Sequence, residues 1–203
     1  MTLAAWFSLF TVTLIGAMSP GPSLAVVAKH TLANGRRAGI ITAWSHASGL
    51  AVYALLSLTG LALMLQQSPR LFTAITYGGA AYLAWLGLTA LTARQGVAAA
   101  LKAGNRTSWA TCAREGVLIS LLNPKIALFF LALFSQFIHL AQSLSGKAVI
   151  VATPFLLDGL WYTFIALVLS HSSVVSKIKQ HALLLDRLTG IVLLGLAARV
   201  ILA

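Results

Sequence analysis

The sequence predicts an all-α polytopic membrane protein: six transmembrane helices, set as two inverted three-helix repeats with a broken first helix in each. Three observations carry that prediction. Hydrophobic residues make up 59% of the 203-residue chain and charged residues 8%, with a mean hydropathy of +0.92, whereas soluble domains are about a quarter charged. The charges are placed so that apolar stretches of bilayer length lie between them. Each half of the chain begins its apolar series with a segment broken by proline.

The segments follow in order. No Asp, Glu, Lys or Arg occurs from Met1 to Ala28, from Ala38 to Pro69 or from Leu71 to Ala93. A helix crosses the hydrocarbon core with about 20 residues, so each gap holds one crossing. Gly116–Leu140, interrupted by Lys125, and Val149–Leu169, interrupted by Asp158, supply the fourth and fifth. The sixth, roughly Leu188–Leu202, is a short run crowded by Asp186, Arg187 and Arg199; without it the count is five. Arg199 is placed to snorkel to the interface. The N-terminus lacks a basic region, and its apolar run outlasts the core of a signal peptide. It reads as the first membrane helix, with Trp6, Phe7 and Phe10 suited to the interface.

A net charge of +11 would suggest nucleic acid in a soluble protein. Here the cations sort by loop instead. Lys29, Arg36 and Arg37 fall between the first two segments, Arg94, Lys102, Arg106 and Arg114 between the third and fourth, and Lys177, Lys179 and Arg187 between the last two. The opposite side has Arg70, Lys147 and Arg199. The positive-inside rule puts the richer set in the cytoplasm and both termini outside. The basic balance is therefore a topology signal, reinforced by attraction to anionic headgroups, and no nucleic-acid partner follows from it. Cys112 is the single cysteine, so no disulfide within the chain and no thiolate metal site of the usual kind can form. It reads as a small residue at a loop–helix junction.

The polar segment 94–115 is a cytoplasmic linker between two repeats, 1–93 and 116–203, within one integral membrane domain. The first break is Ser19-Pro20-Gly21-Pro22 and the second Asn123-Pro124-Lys125, an offset of 104 residues from Ser19 to Asn123. Three helices per block give the blocks opposite orientations, the arrangement in which paired broken helices flank a midplane site.

The breaks and the intramembrane charges carry the chemistry. Proline lacks an N–H and clashes with the carbonyl four residues back, so Pro20, Pro22 and Pro124 free the carbonyls of Gly16, Met18 and Ser120. Gly21 adds backbone freedom. Freed groups in hydrocarbon need protein or cavity water. A half-helix that starts at a break suits a carboxylate, and one that ends there suits an ammonium. A plain kink is the structural alternative. Asn123 is expected to bond the backbone that Pro124 leaves open.

Asp158 is one of only three acids. A carboxylate at membrane depth costs about 2.5–3.5 kcal/mol on insertion scales; chains keep one where a proton, ion or substrate passes. It shares a helical face with Pro154, Trp161 and Tyr162 and serves as proton relay, ammonium anchor or structural partner of Lys125. Lys125 meets a carboxylate or snorkels out. His46, on a stripe with Thr42, Gly49 and Tyr53, has the range for a proton step or bonds between helices. Gly78 and Gly79, with Ala80 and Ala81, permit close helix approach. Glu115, beside Arg114, reads as a terminal charge favoured by the helix dipole. Together the pattern is that of a transporter.

Gly16-Ala-Met-Ser-Pro-Gly-Pro22 resembles the N-terminal signature of the lysine-exporter (LysE/RhtB) family of amino-acid efflux proteins. Leu121-Leu-Asn-Pro-Lys-Ile-Ala-Leu-Phe-Phe130, followed by Phe134-Ser-Gln-Phe137, is similar to that family's fourth-helix signature, and Leu157-Asp-Gly-Leu-Trp161 fits its fifth. Ser135 departs from the proline often found before Gln-Phe. The resemblance covers essentially the whole chain. It implies export of amino acids or close derivatives across the bacterial inner membrane by proton antiport, without a cofactor. By position it carries over Pro20, Gly21, Pro22, Asn123, Pro124, Lys125 and Asp158 as site candidates; Ser19 joins them, with His46, Tyr53, Trp161 and Tyr162 as secondary candidates. A homodimer is compatible with so small a chain.

Two other classes compete. A transporter of metal or other small ions wants clustered ligands at membrane depth, and the chain offers one Asp, scattered His and Cys112 at a loop edge. An intramembrane enzyme wants a zinc motif or a serine with a base in reach, and neither pattern shows in the sequence.

Overall fold

The computed structural model describes residues 2–19, 21–92, 104–138, 143–170 and 180–202. Pro20, Arg94, Lys102, Lys177 and Lys179 lie outside the described residues, as does the side chain of Arg199. All regular structure among the described residues is helical, in the order α1 Leu3–Met18, α2 Pro22–Asn34, α3 Arg36–Gln67, α4 Pro69–Thr92, α5 Trp109–Leu122, α6 Pro124–Ser135, α7 Leu144–Leu169 and α8 Ala182–Leu202.

The breaks fall where the prolines place them. α1 ends at Ser19, whose N–H turns back to the carbonyls of Ile15 and Gly16. α2 then starts with Pro22 in its first turn, where the missing N–H costs no helical bond, and the two helices meet at 60°. At the second break Asn123 closes α5 and caps α6, its side chain accepting from the Lys125 N–H; the bend there is 55°. Asn123 thus bonds an orphan N–H of the new helix, not a carbonyl left by Pro124. α2 passes into α3 through Gly35 at φ 83, a left-handed conformation that favours glycine. α7 runs through Pro154 without ending.

Each half therefore has a bent pair followed by two further helices. The first segment reaches Asn34 and the fourth starts at Trp109, both longer than the charge gaps indicated, because Lys29 and Glu115 sit inside helices. Three helices are long and apolar enough to cross a membrane, or five if each bent pair counts as one. α8, the expected sixth, has 21 residues but carries Asp186, Arg187 and Arg199.

α3 is the central helix, lying against α5 and α7, while α4 lies against α8. Small residues set the spacing. A Cβ at Gly116 would stand 2.6 Å from the Thr42 carbonyl oxygen, and one at Gly159 would stand 2.9 Å from the Trp44 ring. On the other side of the molecule, a Cβ at Gly190 would meet the Gly87 carbonyl oxygen at 2.7 Å. Of the expected small pair, Gly79 faces Ala132, whereas Gly78 faces open space.

Two apolar clusters result. The larger joins Leu9 of α1, Leu50 and Leu58 of α3, Phe130 and Phe134 of α6, and Leu193 of α8. The smaller joins Leu24, Val27 and Ala28 of α2 to Tyr162, Ala166 and Leu169 of α7. Residues of both clusters, Leu50, Ile126, Phe129, Phe130 and Tyr162, line a cavity at the breaks.

Candidate functional site

The cavity is bounded by α1, α2, α3, α6 and α7 and has a volume of about 40 Å³, room for water molecules. One wall is apolar: Gly16, Ala17, Leu50, Ile126, Phe129 and Phe130. The other is polar: Ser19, Gly21, Ser23, His46, Asn123, Lys125, Asp158 and Tyr162. A Cβ at Gly16 would collide with the Phe129 ring, so glycine there lets the ring reach the wall.

A hydrogen-bonded chain runs across the polar side. His46 Nδ1 lies 2.7 Å from Asp158 Oδ2 and its Nε2 2.9 Å from Ser23 Oγ. Asn123 Nδ2 donates to the same Ser23 oxygen at 3.4 Å. Four elements meet in this chain: α7, α3, α2 and the second break. Asp158 is 3% exposed and His46 1%, so each supplies the partner that burial demands. Tyr162 closes the ring edge-on, its centroid 5.3 Å from that of His46. With Asp158 ionised and His46 neutral, Nδ1–H donates to the carboxylate and Nε2 accepts from Ser23.

Lys125 is held differently. Its Nζ donates to the Ser19 carbonyl at 3.0 Å and to Ser19 Oγ at 2.6 Å, so an ammonium does sit at the carbonyl end of α1, and it belongs to the chain. The partners found for Asp158 and Lys125 are His46 and Ser19, not each other. Among the described residues no side chain caps the start of α2.

The sequence-predicted residues divide. Ser19, Gly21, His46, Asn123, Lys125, Asp158 and Tyr162 come together at one cavity. Pro22 and Pro124 serve as helix starters and are exposed. Tyr53 packs against the larger apolar cluster, and Trp161 packs on the smaller one and against Phe164. Pro20 lies outside the described residues. Ser23 was missed; its signal is a hydroxyl on the buried face of an otherwise apolar turn. Thr13, whose buried hydroxyl has no partner among the described residues, also lines the cavity.

The reading of Glu115 as a terminal charge needs correction. It lies in the second turn of α5 and binds across to α2: Oε2 is 2.7 Å from Lys29 Nζ and 2.9 Å from His30 Nε2. The expectation that no serine has a base in reach is also overturned, since Ser23, His46 and Asp158 are bonded in series. Among the described residues no group of three or more His, Cys, Asp or Glu stands close enough to hold a metal ion.

Residues 14–203 match the family described as LysE type translocator. The leucine efflux protein of Enterobacter sp. (strain 638) is 32% identical over 188 residues, covering 89% of this chain and 87% of that protein. The leucine efflux protein of Klebsiella pneumoniae is 32% identical over 199 residues, covering 92% and 91%. An uncharacterized membrane protein of Bacillus subtilis, YrhP, is 30% identical over 185 residues, covering 87% and 88%. No solved structure matches. A family match over almost the whole length makes this chain a member of the LysE type translocator family.

Proposed function

We propose that this protein is a secondary active exporter that carries amino acids or close derivatives out of the bacterial cytoplasm in exchange for protons. Family membership and the two relatives named as leucine efflux proteins support the amino-acid cargo. The observation that carries the coupling is the buried series Asp158–His46–Ser23–Asn123 beside Lys125 in one cavity. Six crossings in two inverted repeats, with both termini outside, place that cavity near the membrane midplane and direct the cation-rich loops inward.

The hydrogen-bond directions give a coupling step. With the pair unprotonated, Ser23 donates to His46 Nε2. Once a proton enters the pair, Nε2 carries hydrogen and donates to Ser23, whose own hydroxyl hydrogen must turn toward the cavity. Proton loading thus changes what the cavity offers a substrate. The uncapped N–H groups of α2 and the Lys125 ammonium meet the carboxylate. The apolar wall of Leu50, Phe129 and Phe130 meets an aliphatic side chain.

The test is export of labelled leucine from liposomes under an imposed proton gradient, comparing wild type with Asp158→Asn. Gradient-driven release lost in the variant supports the reading. Equal release in both would remove Asp158 from the coupling path, and no release of any amino acid would shift the cargo to ions. One further reading has its own observation: Ser23–His46–Asp158 has the connectivity of a hydrolytic triad. Covalent labelling of Ser23 by a fluorophosphonate would favour it; an unlabelled, transport-competent protein would end it.

A further inference from the structure

α2 has two faces of different chemistry. Toward α7 it packs Leu24, Val27 and Ala28 on apolar side chains. Toward α5 and the break that follows it, α2 makes hydrogen bonds along its length. Ser23, His30 and Asn34 recur at seven and four residues, one stripe of a helix. Ser23 accepts from Asn123 at the cavity, and His30 meets Glu115 through Nε2 and Cys112 Sγ through Nδ1, the latter at 3.4 Å. At the far end Asn34 Nδ2 donates to Thr107 Oγ1 at 3.3 Å, and its Oδ1 accepts from the Thr107 N–H at 3.2 Å. That end opens on a recess of about 770 Å³ lined by Asn34, Arg106 and Thr107. The seam therefore runs from the inner cavity to a wide recess on the side of the cation-rich loops.

An apolar contact stays shut against water, whereas a polar seam exchanges its bonds for water at little cost. The α2–α7 contact is thus the hinge side and the α2–α5 contact the side that opens. The strongest bonds across it converge on one carboxylate oxygen, Glu115 Oε2, which receives Lys29 Nζ at 2.7 Å and His30 Nε2 at 2.9 Å. The other titratable and charged groups of the elements around it lie elsewhere. On α5, Arg114 is exposed; on α3, Arg36 and Arg37 are exposed and His46 is at the cavity; on α7, Asp158 and Tyr162 are at the cavity too.

We propose that the α2–α5 seam is the cytoplasmic gate of the cavity and that Glu115 is its proton-binding latch. Ionised, it holds Lys29 and His30 across the seam; protonated, it loses the charge that both bonds depend on and the seam admits water. The proposal rests on the exporter reading for its direction, but its test does not need a known cargo. Cys112 is the single cysteine, fully buried inside the seam, and so reports opening without engineering.

The experiment is the rate of Cys112 modification by 4,4′-dithiodipyridine, which reacts with thiols at acidic pH, in proteoliposomes, divided at each pH by the rate for the same protein unfolded in detergent. That division removes the thiol's own pH dependence. The Lys29 ammonium bonded to Glu115 holds its carboxyl below the ordinary glutamate value. Expected is therefore several-fold faster normalised modification of wild type as pH falls from about 6 to about 3.5, through and below the ordinary value of about 4.3. Glu115→Gln is expected to react fast at both ends and Lys29→Gln to lie between. Unchanged wild-type protection across that range, or protection of Glu115→Gln equal to wild type, overturns the latch. Should Glu115→Gln fail to run as a single species in gel filtration, the wild-type profile alone decides. Leucine flux measured in the same liposomes separates the two readings: opening with pH but no flux leaves the gate and removes the cargo.

Discussion

Two histidine–carboxylate pairs stand at opposite ends of α2, alike in chemistry and unlike in setting. His46 and Asp158 are both buried, joined at 2.7 Å, and face a cavity that also holds Lys125. His30 and Glu115 are joined at 2.9 Å, but Glu115 is 29% exposed and shares its oxygen with Lys29. The difference teaches where a proton changes most. In the inner pair the charge has little water to fall back on, so its state is felt by every bonded neighbour. In the outer pair water competes for each bond, so protonation loosens a seam without disabling the helix. A carboxylate of the first kind suits coupling; one of the second kind suits gating.

The comparison breaks most directly at the carboxylates. Asp158→Asn keeps the shape and removes the charge, and gradient-driven leucine export is expected to fall to background. Glu115→Gln, the same change at the outer pair, is expected to retain export at a rate lowered several-fold, with its pH dependence flattened. Equal losses in the two variants, measured in matched liposomes, would erase the distinction between coupling and gating.

A second, smaller effect sharpens the inner pair. Ser23→Ala leaves His46 Nε2 and Asn123 Nδ2 without the oxygen they share. An unsatisfied buried polar group costs about 1–3 kcal/mol, a factor of about 5 to 150 in an equilibrium constant. Export by Ser23→Ala is expected to fall within that range and its pH profile to shift, whereas Ser23→Thr, which keeps the hydroxyl, restores part of it. A loss in Ser23→Ala without any change of pH profile would make Ser23 a packing residue.

Helix spacing offers a matched pair of substitutions. Gly159→Ala puts a Cβ against the Trp44 ring beside Asp158, and Gly116→Ala puts one 2.6 Å from the Thr42 carbonyl oxygen beside Glu115. Overpacking typically costs about 1–3 kcal/mol. The ring at Trp44 is a side chain and can shift, while the carbonyl at Thr42 is backbone and cannot. Thermal unfolding in detergent is therefore expected to drop further for Gly116→Ala, even though Gly159 is nearer the inner pair.

Much of this was legible in the sequence because the membrane limits what charges can do. The Pro-Gly-Pro and Asn-Pro breaks announced both bends, and a lone aspartate in an apolar run announced the cavity. The pairing was not legible. Asp158 and His46 lie 112 residues apart, and nothing in either segment's periodicity says that α3 would turn His46, and not Lys125, toward the acid. Lys125 instead reaches the carbonyl end of α1, an acceptor that exists only because that helix stops there. Glu115 was misread for a related reason. Counting crossings by charge gaps put a helix end at the charge, although paired charges continue inside α2 and α5.

The smallest expected effect lies at Lys29, and it limits the outer pair's role most closely. Its side chain is 37% exposed and bonds the carboxylate of a side chain 29% exposed, conditions in which an ion pair contributes about 0–1 kcal/mol. Lys29→Gln is therefore expected to leave the unfolding midpoint within a few degrees of wild type, with the difference growing at low ionic strength, where the pair is less screened. His30 has no such solvent to lean on, being fully buried, so His30→Gln is expected to unfold earlier than Lys29→Gln. If Lys29→Gln proved the more damaging of the two, the outer pair would draw its hold from the exposed cation, and Glu115 would belong to the surface.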